Sequence, residues 1–507
     1  MLIMKYCLLA KFFWGLILIS QCALAQVTFQ KSYQLESNAY VSRVEQTEDG
    51  GFIMLDDTCH LVRTDSEGNI LWDKSYEIFG YESGESVKQT LDGGYIVCGA
   101  AEYTGTSDIF LIKTDENGNI QWSKTYDEGF ADDGRDVQQT NDGGYIICGT
   151  ATFYNYSPRG FTLIKTDSIG NVLWSYVYYP TLFATCDGDG CIKETNDGGF
   201  VMAISVSVVG GLFKTDSIGN FEWAKTYGDT DVLEYYLLQE ALDQTKDGGY
   251  ITTCVPDGKT VLIKTDSVGN ILWTKKYDDV DYNGMYSIHR TQDDGFILAG
   301  VDGAGYDFVT CSIKADSAGN LLWSKQYGIP THKGELRSCT QTSDKGYAFL
   351  GWILQSGLYF IKTDSNGNTN CDDGTLNFVT SDTSIAVNSL EFFSVSGIST
   401  GTQVITTTSY ATDSTYCLTY TSSPSMSDEK NKVVISPNPF DQFSTIYFPT
   451  GEKFDFVLYD VFGKEIINLK DVSGNTVIQK GSLPPGIYFY RISANEKKFS
   501  SGKLVAE

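Results

Sequence analysis

The stretch Lys264-Thr265-Asp266-Ser267-Val268-Gly269-Asn270-Ile271-Leu272-Trp273-Thr274-Lys275-Lys276-Tyr277 decides the fold, because the chain repeats it. Its Asp recurs at Asp65, Asp115, Asp167, Asp216, Asp266, Asp316 and Asp364, at intervals of 48 to 52 residues. Trp follows seven positions later at Trp72, Trp122, Trp174, Trp223, Trp273 and Trp323; the seventh copy has Cys371 there. A second phrase, Thr-x-Asp-Gly-Gly-Tyr, begins at Thr47, Thr90, Thr140, Thr195, Thr245, Thr291 and Thr342, with variants Asp293-Asp294-Gly295 and Asp344-Lys345-Gly346 in the last two copies. A fixed period of this length marks an architecture in which each copy is one supersecondary unit stacked on its neighbours.

Each copy reads as four strands. In the third they are predicted at 136–140, 145–149, 161–166 and 172–176. Asn141-Asp142-Gly143-Gly144 joins the first two, with Gly supplying a positive φ free of a Cβ clash. Ser168-Ile169-Gly170-Asn171 joins the last two, with Asp167 placed to accept backbone hydrogen bonds across the turn. Aromatic and β-branched strands between such turns exclude a helical solenoid and predict propeller blades. Phe29-Gln30-Lys31-Ser32-Tyr33 matches Trp-x-Lys-x-Tyr yet precedes the first Asp-Gly-Gly, whereas the seventh copy lacks its Trp strand. Laying 27–33 beside the strand around 359–363 completes that copy and removes an open edge. The expected fold is all-β: a seven-bladed β-propeller of four-stranded blades over residues 26–371, closed by an N-terminal strand, then a small C-terminal β-sandwich.

Composition bounds the function. The chain has 507 residues, 37 Lys+Arg, 64 Asp+Glu, a charge of −27 and three His. With 41% apolar residues it can build cores, and its acidity excludes nucleic acid as a partner, since phosphate binding needs clustered cations. Lys5 and Lys11, the apolar run 12–19 and Ala23-Leu24-Ala25 predict a signal peptide over residues 1–25, removed on Sec export. The run is too short for a membrane span, which needs roughly 20 apolar residues, and no transmembrane segment is expected elsewhere. Losing two Lys and no acid takes the charge from −27 to −29. In an oxidising compartment Cys186 with Cys191, flanking Asp187-Gly188-Asp189-Gly190, and Cys371 with Cys417 are disulfide candidates, while Cys98 and Cys148 are expected as buried thiols.

Residues 372–428 lose the repeat and turn Ser/Thr-rich, reading as a spacer with possible short strands near 390–395. From 429 to 507 short strands return at 433–435, 444–448, 454–459, 465–469 and 487–492. The ordered set Pro437-Asn438-Pro439, Asp460-x-x-Gly463-Lys464, Pro485-Gly486-x-Tyr488 and Gly502-Lys503 resembles the type A C-terminal sorting domain of the type IX secretion system. That resemblance implies recognition by an outer-membrane translocon, then release or surface attachment. The Lys-Thr-Asp-x-x-Gly-Asn-x-x-Trp unit resembles repeats of secreted Bacteroidetes proteins. It is also similar to the tryptophan-docking phrase of quinoprotein-like propellers, with a shorter Asp-to-Gly gap, and less so to the Asp-box of sialidase-like propellers.

The two tight hairpins of each copy fall on one face, and the variable loops on the other, where recognition is expected. Tyr154, Tyr156, Tyr178, Tyr179, Tyr235, Tyr236 and Tyr282 are candidates to stack on sugars or anchor a protein; packing between blades is the other reading. Asp279, Asp281 and Asn283 open like a calcium loop, though Arg290 stands where its closing Glu belongs; calcium is the only cofactor the residues suggest. Two positions before each hairpin Thr stand Glu45, Lys88, Gln138, Lys193, Asp243, His289 and Thr340. They read as a hydrated channel wall or, through Glu45, Asp243 and His289, as acid and base of a polysaccharide lyase or glycosidase. A quinone dehydrogenase is suggested only by the Trp resemblance. Ser168, Ser217, Ser267, Ser317 and Ser414 sit in phrases resembling a Bacteroidetes O-glycosylation pattern. The expected function is glycan or protein binding, without catalysis, at the cell surface or beyond it. Deleting residues 26–34 is expected to lower and broaden the thermal transition of the repeat region; an unchanged melting curve would refute the N-terminal strand's role.

Overall fold

The computed structural model describes residues 26–506, apart from 35–39, 79–81, 104–105, 128–130, 153–158, 182–185, 188–189, 207–208, 229–240, 279–282, 304–307, 329–332, 354–356, 370, 372, 377, 396–398, 402–405, 409–411, 422–433, 437–442, 448–452, 461–463, 473–474, 481–482 and 495–496. The predicted signal peptide therefore lies outside the described residues. Two compact units divide the chain, Met1–Ser422 and Ser423–Glu507.

Among the described residues, the first unit contains seven antiparallel sheets, numbered here in chain order. The third gathers Ala131–Gln139, Tyr145–Thr152, Arg159–Thr166 and Val172–Pro180, the four strands expected for that copy, each lengthened at one end. The seventh takes Gly334–Gln341, Tyr347–Ile353 and Gly357–Thr363 from the last copy and its fourth strand, Gln26–Gln34, from the other end of the repeat region. Phe29 pairs with Lys362 and Tyr33 with Leu358, so the two strands lie side by side as the sequence led one to expect.

Both phrases build turns whose polar groups are satisfied internally. In the first hairpin Thr140 Oγ1 and the Gly144 N–H donate to Asp142 Oδ1 at 2.6 and 2.9 Å. In the second, the N–H groups of Ile169 and Asn171 donate to Asp167 Oδ1 at 3.0 and 2.8 Å. The buried Lys165 joins the two hairpins, its ammonium donating to Asp142 at 3.0 Å and to the Thr166 carbonyl at 3.0 Å. Lys113–Asp92, Lys264–Asp247 and Lys362–Asp344 repeat the pair at 2.8 to 2.9 Å.

Trp-x-Lys-x-Tyr then fastens each sheet to the next. Tyr126 Oη donates to the Gly170 carbonyl at 2.8 Å, Lys124 Nζ donates to Asn171 Oδ1 at 2.9 Å, and the Trp122 ring lies against Gly170. The same ring meets Tyr145 edge-on at 5.9 Å, which accounts for the aromatic after Asp-Gly-Gly. At the start of the repeat region Phe29 takes the Trp place against Gly68, Lys31 donates to Asn69 at 2.9 Å and Tyr33 to the Gly68 carbonyl at 2.7 Å. Apolar clusters lie between neighbouring sheets; one joins Phe29, Tyr33 and Leu350 of the seventh to Val44 and Phe52 of the first.

The spacer reading is corrected. Between 374 and 421 the chain lays one further strand on the outer edge of every one of these sheets, visiting them against chain order. Gly374–Thr375 pairs with the sixth sheet, Val379–Asp382 with the fifth, Val387–Leu390 with the fourth and Phe392–Val395 with the third. Ser399–Gly401 follows on the second, Thr406–Thr408 on the first, and Thr412–Thr421 on Gln26–Gln34 of the seventh. The physical reason is that outer strands expose unpaired backbone donors and acceptors, which short strands of almost any composition satisfy. Phe378, Ile385 and Leu390 pin this belt by packing onto the apolar clusters.

Cys371 is disulfide-bonded. Its expected partner, Cys417, stands opposite Gln30 in the strand ladder, and the Gln30 amide donates to Thr369 and Asp373, two residues to either side of Cys371. Cys191 instead keeps a buried thiol that donates to the Leu242 carbonyl at 3.6 Å, so the Cys186–Cys191 pairing is overturned. Burial at the start of its inner strand turns the thiol onto the fifth sheet. Cys98 and Cys148 are buried thiols as expected.

The second unit holds two sheets: Val434–Ser436, Phe443–Tyr447 and Asn475–Gln479 in one, and Glu465–Val472, Phe454–Tyr459, Gly486–Ala494 and Lys497–Ala506 in the other. Ile446 and Ile478 from the first pack with Phe456, Leu458 and Ile492 from the second, a β-sandwich core.

Gly143 and Gly170 both hold left-handed φ, +83° and +78°, but a Cβ on Gly143 meets nothing within 4 Å, whereas one on Gly170 would lie 2.8 Å from the Trp122 ring. Gly143→Ala is expected to lose about 1–2 kcal/mol, the left-handed cost alone. Gly170→Ala should lose about 1–3 kcal/mol more as Trp122 is displaced. Urea unfolding would check this; equal losses would refute the docking role of Trp122.

Candidate functional site

The first hairpins hand hydrogen bonds around the inner edge of the sheets. The Leu91 N–H donates to Gln139 Oε1 at 2.8 Å, the Gln292 N–H to Gln341 at 2.7 Å and the Ser343 N–H to Gln46 at 2.7 Å. This fixes the inner strands and directs one side chain of the row from each of six sheets to the middle. There lies a cavity of about 520 Å³ lined by Glu45, Lys88, Gln138, Lys193, His289 and Thr340, among others. Among the described residues it reaches Thr90, Leu91, Thr140 and Asn141, beside the hairpins.

Below this row stand Arg43, Ser86, Asp136, Cys191, Ala241, Ser287 and Ser338, all buried. Arg43 of the first sheet reaches past the second to an ion pair with Asp136 of the third. Asp136 also accepts from Ser86 Oγ at 2.7 Å and from the Ile192 N–H at 3.0 Å, tying four sheets together. Burial alone would raise its carboxyl pKa, but Arg43, Lys88 and these donors outweigh it and hold Asp136 below the ordinary carboxylate value. The sequence reading missed this pair. Its signal was two opposite charges at a position that is otherwise Ser, Cys or Ala.

The structure brings two of the three catalytic candidates together. His289 Nδ1 lies 3.8 Å from Asp243 Oδ2, and that oxygen also accepts the Arg290 N–H at 2.8 Å. Burial opposes the Asp243 charge, yet Lys193, His289 and backbone donors keep its pKa low. Lys193 is held above the ordinary lysine value because Asp243 more than offsets its burial. Glu45 stands apart on the first sheet, 3.8 Å from Lys88 Nζ, with Oε2 accepting the Gln89 N–H at 2.8 Å.

Other candidates fall elsewhere. Tyr178 and Tyr179 are buried, against the binding reading: Tyr178 Oη donates to the Gly219 carbonyl and Tyr179 packs on Ala151 and Val177. Tyr178 stands four places after Trp174, in the Tyr place of the repeat, a signal legible beforehand. Tyr154, Tyr156, Tyr235, Tyr236, Tyr282, Asp279 and Asp281 lie outside the described residues. Asn283 is buried and turned onto the neighbouring fifth sheet, with Oδ1 accepting the Thr260 N–H at 2.8 Å, contrary to a role as a calcium ligand.

In the second unit the Lys464 N–H donates to Asp460 Oδ1 at 2.9 Å, closing the turn, and Tyr488 Oη donates to the Pro484 carbonyl at 2.7 Å beside Pro485 and Gly486. Gly502 and Lys503 pair with Tyr490 and Phe489 in the ladder. Pro437, Asn438, Pro439 and Gly463 lie outside the described residues. Residues 434–507 match the family described as Secretion system C-terminal sorting domain. The tail is a type IX sorting domain. This sorting domain implies delivery to the type IX machinery and a secreted or cell-surface location. Among the described residues no helix is long and apolar enough to cross a membrane.

Curated proteins give no match to the chain. Among solved structures, the extracellular domain of BT4673 from B. thetaiotaomicron is similar at 9% identity and a TM-score of 0.41, covering 92% of this chain and 57% of its own. The chain thus spans little more than half of that relative. BamB from Moraxella catarrhalis has 13% identity and a TM-score of 0.36, over 64% of this chain and 83% of its own. YCF48 bound to D1 peptide has 14% identity and a TM-score of 0.42, over 66% and 96%.

On the loop side, burial with Asp56 and Glu85 nearby pushes the Asp57 carboxyl up to about 6, despite the Tyr40 N–H donating to it at 2.8 Å. A pKa raised by folding gives stability that is present in full below the unfolded value, about 4, and is lost as pH rises through 6. Asp57→Asn keeps the acceptor and removes the charge. The variant should melt above the parent at pH 7 to 8 and level with it near pH 4; a difference that does not change with pH would refute this.

Proposed function

We propose that the chain is a secreted or surface-attached binding protein, exported by its sorting domain and recognising a glycan or protein with a seven-bladed, closed β-propeller. Closure is supported by Phe29, Lys31 and Tyr33, which make on Gly68 and Asn69 of the first sheet the contacts that Trp323, Lys325 and Tyr327 make on Gly367 and Asn368 of the seventh. We read residues 1–25 as the Sec signal peptide and Cys371–Cys417 as the disulfide that ties the belt to the ring.

The observation that carries binding over catalysis is the cavity wall. It changes from sheet to sheet in charge and size, as a recognition surface does, while of the acid–base trio only Asp243 and His289 are paired and Glu45 is held by the Gln89 N–H. A second reading, a lyase or glycosidase at the cavity, is favoured by the Asp243–His289 pair alone. A glycan array and polysaccharide-degradation assays on residues 26–428 separate the two. Retention of a glycan without turnover is expected, and turnover abolished by His289→Ala would overturn it in favour of the enzyme.

A further inference from the structure

Three neighbouring sheets bring Lys88, Gln138 and Lys193 side by side into the cavity wall. Hydrogen-bonding capacity is unused there. Neither the Gln138 amide nor the Lys193 ammonium hydrogen-bonds a described residue. Lys88 makes no hydrogen bond to a described residue; Glu45 stands 3.8 Å from it, and its charge also acts on Asp136 below. An ammonium offers three donors and a carboxamide two donors and an acceptor, so this arc presents N–H donors that no described residue accepts, while the charges of Asp136 and Asp243 act on the lysines without a hydrogen bond. No carboxylate stands between the two lysines in the row, and the ion pair of Arg43 with Asp136 seals the floor beneath them.

Across the cavity the chemistry differs. His289 is partly exposed beside Asp243, and the Thr340 hydroxyl has no hydrogen bond to a described residue. One wall therefore suits an oxyanion and the opposite wall suits hydroxyl groups, in a volume that fits one or two sugar rings. In a chain of charge −27, paired lysines on a recessed wall are also the place where an anion escapes the general repulsion.

We infer that the Lys88–Gln138–Lys193 arc binds the acid group of an anionic sugar, free or at the end of a glycan, with the ring hydroxyls against His289 and Thr340. This rests on the binding reading above and specifies the class of ligand.

Titration calorimetry on the full exported chain tests it with glucuronate, glucose, glucose 6-sulfate and acetate. Glucuronate or the sulfate ester should bind at least about tenfold more tightly than glucose, the worth of one charge-assisted hydrogen bond or more. Whichever of the two binds better identifies the acid as carboxylate or sulfate. Lys193→Met and Lys88→Gln should each erase most of that preference. Lys88 lies on a partly exposed wall, and a parental melting curve for Lys88→Gln certifies its fold. Equal affinity for glucuronate, the sulfate ester and glucose overturns the inference, as does a preference that survives both substitutions. Acetate binding as tightly as glucuronate overturns the sugar half. Capture of a neutral polysaccharide on the array with no acid preference in calorimetry removes this inference and leaves the binding reading standing, whereas an array blank for all glycans counts against glycan recognition itself.

Discussion

The docking of a Trp, a Lys and a Tyr from one sheet onto a single Gly-Asn turn of the next supports the rest of the structure. Three chemistries converge there: an indole against a residue without a Cβ, an ammonium on a carboxamide oxygen, and a phenol on a peptide carbonyl. The turn that receives them is already closed by its own Asp, so the same few residues end a hairpin and locate a neighbour. This double duty explains why the phrase is kept from copy to copy, whereas most strand positions need only be apolar. Phe29 at the Trp place is informative, since it keeps the ring on the glycine and dispenses with the indole.

With the sheets located from their outer halves, the inner strands are free to vary. The wall row runs from Glu45 through Lys88, Gln138, Lys193, Asp243 and His289 to Thr340, and none of these is needed by the hairpins. Recognition was expected on the loop side, by analogy with rigid scaffolds that carry function on variable loops. Most of the residues that carry that expectation lie outside the described ones; the cavity reaches the repeated hairpins, and the variety of its described lining comes from strand positions.

The fold was largely legible in the sequence because its determinants are periodic. The Asp-Gly-Gly and Gly-Asn turns announced the strands, the displaced Phe29–Tyr33 copy announced the pairing of the two ends of the repeat, and the ordered tail motifs announced the sorting domain. The belt was not legible. Its first six strands are two to four residues long and owe their pairing to edges made elsewhere, so no pattern of their own was required. The site was half legible. Aligning the copies lined up the wall row, but Arg43 and Asp136 find each other across sheets, a relation that emerges only when their two positions are compared with the small residues of the other five.

The belt also sets how the propeller unit answers a pull. Chain entering the sorting domain leaves from Thr412–Thr421, the longest of the belt strands, laid along Gln26–Gln34. Tension drawn through the tail loads that ten-residue strand first. The shorter strands on the first to sixth sheets feel nothing until it has peeled away. The longest attachment thus stands nearest the handle, on the seventh sheet, and shields the first six sheets from a tail under traction.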